Sequence, residues 1–158
     1  MKKEKLSPLE KSWILYDVGN SAFVLLCSTL LPIFFNALAT AGGLSEDLYL
    51  SYWSYAGSIA TILVAIIGPI CGALSDRNFK KPIFLLCVTV GALGCAALGF
   101  VSHWLVFLTV FVLARVGYSS SIIFYDSMLP EVTTEKRMDN VSSLGYAYGY
   151  IGSVIPFV

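Results

Sequence analysis

The feature that most constrains this chain is a recurring run of apolar residues, each stopped by a short polar segment. A helix needs about 20 mostly apolar residues to span the hydrocarbon core of a bilayer, and a charge at its centre costs several kcal/mol. Four runs meet that length, at about 13–38, 49–74, 82–101 and 104–126, and a fifth occupies about 142–158, short of a full crossing. With 57% hydrophobic and 13% charged residues, the chain carries more apolar surface than a soluble core absorbs. The expected fold is an all-α integral membrane bundle over residues 1–158, with four complete transmembrane helices and a truncated fifth.

The charges orient this bundle. Lys2, Lys3, Lys5 and Lys11 precede the first run, Arg77, Lys80 and Lys81 fill the hairpin between the second and third, and Lys136 and Arg137 precede the fifth. The connections at 40–48 and 102–103 hold no Lys or Arg. Positive residues near span ends stay in the cytoplasm, so this alternation predicts a cytoplasmic N-terminus. Trp13 and Tyr16 suit the inner headgroup belt, and Tyr49, Tyr52, Trp53 and Tyr55 the outer one. Pro82 opens the third span, where its missing amide costs nothing, and Ser142 or Ser143 is placed to cap the fifth. A signal peptide ending at Ala37-Leu38-Ala39 is the competing reading of the first run. Against it stand an apolar stretch longer than about 20 residues and the presence of Asp17 and Asn20 within it.

Several function classes find no support. Ten basic and ten acidic residues give no net charge to attract nucleic acid. Cys27, Cys71, Cys87 and Cys95 all fall in apolar runs without paired spacing, and His103 is the only histidine, so no metal-ligand set or cofactor is expected. There is no phosphate-binding loop, nucleophile elbow or His-Glu-x-x-His. An intramembrane phosphotransferase needs acidic residues in register for a divalent metal, and Asp76 has no acidic neighbour on its face. An enzyme is therefore not expected.

Two polar stripes lie inside the spans. Arg115, Ser119, Ile122 and Asp126 follow the i, i+4, i+7, i+11 rule on the fourth span, with Tyr118 beside them. A guanidinium at this depth cannot discharge by losing a proton, so it must face the bundle or a wet cavity. It reads either as an anion or coupling site or as a structural pair pinning two helices. Asp17, Asn20, Ser21 and Ser28 form the second stripe, with a direct role in transport, a gate, or packing as its readings. Small residues at helical period, Gly91, Cys95 and Gly99 on the third span and Gly145, Gly149 and Gly152 on the fifth, are expected to let backbones approach closely.

The hairpin Gly72, Asp76, Arg77, Lys80, Lys81 resembles the signature between the second and third helices of the major facilitator superfamily, with Phe79 where the family has glycine. The blocks WILYDVGNSAF (13–23), FYDSMLPE (124–131) and VSSLGYAYGYIG (141–152) resemble its vacuole-effluxer, autophagy-related branch. Arg115 is similar to the family's fourth-helix arginine, with Ser119 and Ser121 in place of the glycines that usually follow. The resemblance implies the N-terminal part of a twelve-helix secondary transporter working by alternating access. It also implies a cavity lined by the first and fourth helices, and amino-acid export as in eukaryotic relatives. It makes Gly72, Asp76, Arg77, Lys80 and Lys81 a conformational latch, with Asp126 or Glu131 as partner for Arg77. The expected partners are lipid, a small solute and the remaining helices of the transporter, in a bacterial-type plasma membrane. The rival reading is a membrane scaffold that binds other helices through its glycine faces.

Overall fold

In hydrocarbon every backbone N–H and C=O must find its partner within the segment, so apolar runs of this length have the α-helix as their solution. The computed structural model describes residues 5–75 and 79–155. In order these are α1 (Pro8–Ser28), α2 (Leu30–Ala41), α3 (Glu46–Ser75), α4 (Lys80–Leu98), α5 (Trp104–Val132), a short 3-10 turn (Glu135–Arg137) and α6 (Met138–Ser153). Among the described residues four helical stretches are long and apolar enough to cross a membrane: Pro8–Ala41, Glu46–Leu74, Lys80–Leu98 and Trp104–Val132. The fold is therefore all-α and multi-span.

Local chemistry sets the boundaries. Ser7 caps α1 by accepting from the Glu10 amide, while the Glu10 carboxylate accepts from the Ser7 amide, a reciprocal capping box with Pro8 in the first turn. The first span is interrupted at Thr29 (φ −122°, ψ −66°), because Pro32 has no N–H to offer the Ser28 carbonyl. Ser28 and Thr29 turn their hydroxyls back onto the Leu25 carbonyl and so cover backbone acceptors beside the break. After α2, Gly43 adopts φ 82°, and the Gly43 and Leu44 amides close back on Thr40 and Ala39. This helix-ending turn favours glycine. His103 starts α5 by accepting the Leu105 amide on Nδ1.

Two boundaries differ from the hydropathy reading. The apolar run of the fourth span ends near Asp126, but the helix that carries it continues through Pro130 to Val132. Near the polar end, the carbonyl that Pro130 leaves without a donor can be hydrated, so the helix persists there. Ser142 and Ser143 lie inside α6 rather than ahead of it, and Ser143 bonds back to the Asp139 carbonyl.

The chain forms two compact units, Met1–Leu30 with Ser127–Val158, and Leu31–Asp126. In the first, α1 packs along α6 through glycine. A Cβ on Gly145 would stand 2.8 Å from the Trp13 ring, one on Gly149 would stand 2.7 Å from Ser21 Oγ, and Gly152 lies tight against Val18. In the second, an aromatic cluster forms the core: Phe35 stacks on Trp53 (5.5 Å between centroids) and on Phe107 (6.0 Å), and Trp53 meets Phe111 at 4.4 Å. Phe35, Phe107 and Phe111 are buried. In the same unit α4 and α5 cross where side chains vanish. A Cβ on Gly117 would meet the Gly91 amide nitrogen at 2.9 Å, and one on Gly94 would meet the Ala114 methyl at 2.8 Å.

Candidate functional site

Asp17 in the first unit and Arg115 in the second are charged side chains far from the ends of their spanning stretches, and their settings differ. In the first unit Asp17 is 8% exposed on α1, facing the Gly145–Gly149 strip of α6. Asn20, on the next turn, hydrogen-bonds its carboxylate and keeps its own Oδ1 buried without a partner among the described residues. Ser21 Oγ and Asp17 Oδ2 border the same point above Gly149.

In the second unit Arg115 projects from α5, half-buried, with its Cζ 5.9 Å from the centroid of the Phe111 ring one turn earlier. A cation over an aromatic face gains electrostatically from the ring quadrupole, more so where water is scarce. Among the described residues no carboxylate forms an ion pair with Arg115. Ser119 is half-buried one turn further on, and the backbone of Tyr118 packs against Gly91. The same turn buries Ser120 and Ser121, which the sequence stripe passes over. Ser121 donates to the Tyr118 carbonyl at 2.6 Å, while Ser120 Oγ is buried without a partner among the described residues.

The hairpin residues are spread out. Gly72 is half-buried with open space at its Cβ position, Lys81 is exposed, and Asp126 is exposed and engaged. Lys80 is also engaged, while Asp76 and Arg77 lie outside the described residues, as do Lys2, Lys3 and Pro156. Gly99 ends α4 as its cap and is exposed, and a Cβ added there would meet the Ala96 carbonyl of its own turn at 3.6 Å rather than another helix.

One charged cluster escapes the sequence stripes altogether. Glu10, 3% exposed, accepts from Thr133 Oγ1 at 2.7 Å and from Arg137 Nη2 at 3.0 Å, besides the Ser7 amide at 2.7 Å. At about 1.5 Å per residue the Pro8–Ala41 stretch exceeds the hydrocarbon thickness. Its first turn, ahead of the apolar run that opens at Trp13, therefore belongs to the aqueous edge. There the Thr133 hydroxyl, the Ser7 amide and the Arg137 guanidinium hold the Glu10 carboxyl below its usual range against the opposing effect of burial. The Ser7-x-x-Glu10 spacing was a readable capping signal, but nothing local announces Thr133 and Arg137.

Spanning helices that hold a carboxylate and a guanidinium among their buried and half-buried residues define a multi-pass integral membrane protein with polar groups kept at depth. The Major Facilitator Superfamily model matches residues 2–156, and the chain belongs to that superfamily. It is 38% identical over 159 residues to the Uncharacterized MFS-type transporter YxiO of Bacillus subtilis (strain 168), an overlap covering 98% of this chain. The chain spans 37% of that relative's length. No solved structure matches it.

Proposed function

We propose that this chain is the N-terminal part of a secondary transporter that moves a small solute across the membrane by alternating access. Superfamily membership along residues 2–156 carries this reading. The superfamily relative is itself described as a transporter. Arg115 is the leading solute or coupling residue, because a permanent cation within a span, without an ion pair among the described residues, is available to an anionic group. Ser119, Tyr118, Asp17 and Asn20 are the further candidates. Resemblance to the vacuole-effluxer branch makes an amino acid the solute class to try first. Gly72, Asp76, Arg77, Lys80, Lys81 and Asp126 form the conformational latch of this reading, on the cytoplasmic side with the N-terminus. The glycine faces that a scaffold would offer to other helices are filled here by the chain's own. Gly145, Gly149 and Gly152 receive α1, and Gly91, Gly94 and Gly117 serve the α4–α5 crossing.

The test is a chimera in which this chain replaces the matching part of YxiO, reconstituted in liposomes loaded with a panel of labelled amino acids. Efflux above empty liposomes, lost in Arg115→Leu while membrane insertion is retained, is the expected result. Efflux unchanged by Arg115→Leu would demote that residue to packing, and no movement of any panel member would overturn the amino-acid assignment.

A further inference from the structure

A groove of about 340 Å³ lies between α3 and α5 in the second unit. Its sides are Tyr52, Tyr55 and Ile59 of α3 and Leu105, Thr109 and Leu113 of α5. Tyr52 is less than two turns from the start of α3, and its ring centroid lies 5.2 Å from that of Trp104, which opens α5. The groove therefore begins where both helices begin and descends with them to Ile59 and Leu113. At about 1.5 Å per residue this descent covers roughly 10–12 Å, within the roughly 15 Å of hydrocarbon that one leaflet supplies.

The lining sorts the occupants by chemistry. Tyr52, Tyr55 and Thr109 carry its only side-chain oxygens. Thr109 Oγ1 donates to the Leu105 carbonyl at 3.0 Å, so below the tyrosines the walls are closed to a polar solute. An amphiphile fits: apolar along the groove and polar at its tyrosine end, since such rings sit beside headgroups. The charges at this end choose the headgroup. Glu46 and Asp47 are exposed at the start of α3, and no Lys or Arg occurs between Lys11 and Arg77 or between Lys81 and Arg115. An ammonium gains from the carboxylates and from the ring faces of Tyr52 and Trp104, whereas an anionic headgroup has no cation to meet. A transmembrane helix fits less well, because the groove stops at Ile59 and Leu113 instead of following α3 to its end. We propose that this groove binds one phospholipid with an ammonium headgroup, its acyl chain between α3 and α5 and its head at Tyr52, Trp104 and the acidic start of α3. The bound lipid bridges the two helices, and its binding does not rest on the transporter reading.

In the experiment the whole 158-residue chain, stripped of lipid in a mild detergent, is titrated with dioleoyl phosphatidylethanolamine, phosphatidylcholine or phosphatidylglycerol. Native mass spectrometry counts the lipids retained. The expected result is one saturable lipid, held at several-fold lower concentration for the two ammonium lipids than for phosphatidylglycerol. Thr109→Phe, which fills the groove from an exposed position, raises the half-saturating concentration several-fold. Glu46→Gln combined with Asp47→Asn removes the headgroup preference while retention persists. Binding without saturation, retention unchanged by Thr109→Phe, or phosphatidylglycerol held as tightly as the ammonium lipids would each overturn the proposal. Should Thr109→Phe fail to fold, the charge variant decides: a headgroup preference that survives it sinks the assignment. Retention by this chain that disappears in the YxiO chimera would overturn it too, because a helix of the remainder would then fill the groove.

Discussion

Arg137 donates to Glu10 at 3.0 Å across 127 residues of sequence, joining the turn ahead of α6 to the first turn of α1. The carboxylate is 3% exposed and the guanidinium side chain 25%, so the pair is only partly screened by water. Glu10 also binds Thr133 and the Ser7 amide, so its carboxylate joins three separate groups.

Removing either partner leaves the other short of a hydrogen bond in a largely desolvated place. Arg137→Gln and Glu10→Gln should each cost about 1–3 kcal/mol of stability. The double variant should cost less than their sum by about 1 kcal/mol, since the second change removes an interaction already lost. Chemical denaturation of the four proteins in detergent checks this, and simple additivity would show that the pair is not coupled.

Acid should loosen the same junction. The folded carboxyl of Glu10 lies below its ordinary value of 4.5, so its contribution is complete above that pH. The contribution is lost as pH falls through the lower, folded value. Melting curves between pH 7 and pH 3, run on the native chain and on Glu10→Gln, should show a shallower acid decline in the variant.

Glycine replacements should separate by neighbour rather than by helix. Gly149→Ala drives a methyl into Ser21 Oγ and Asp17 Oδ2, and Gly117→Ala drives one into the Gly91 backbone. Each should cost about 1–3 kcal/mol, with Gly117 the less forgiving because backbone cannot rotate away. Gly19→Ala, in α1 with nothing within 4 Å of the added atom, should instead gain about 0.5–1 kcal/mol. Melting temperatures of the three variants give the ranking.

The proposed orientation has its own check. A reporter active only outside the cytoplasm, inserted after His103, should be active, and the same reporter after Lys136 should be silent. The opposite pattern would invert the assignment of every loop.

Much of the fold was legible because lipid imposes a simple rule: apolar length makes spans, and polar punctuation ends them. The four helical stretches and the start of α5 beside His103 follow from residues near one another in sequence. What was not legible is where a span turns its faces. α5 is apolar around most of its circumference, so no period singles out Phe107 and Phe111 as the residues that meet Phe35 and Trp53. The continuation of α5 past Asp126 was hidden because hydropathy ends a span where polar residues begin, whereas a helix can run on beyond the apolar segment. In the candidate site, Asp17, Asn20 and Arg115 announced themselves by being polar in oil. Glu10 did not, because beside lysines at a chain start a glutamate looks like ordinary surface, and its partner Arg137 lies far along the chain.

Arg115 carries one consequence of a different kind. Because its charge is permanent and it sits near the middle of its span, it lies within the electric field of an energised membrane. Carrying one elementary charge through the whole of that field amounts to about 2.3 kcal/mol per 100 mV. Any rearrangement that shifts α5 along the bilayer normal therefore responds to voltage in proportion to the fraction of the field its guanidinium crosses, whatever the chemistry of the solute.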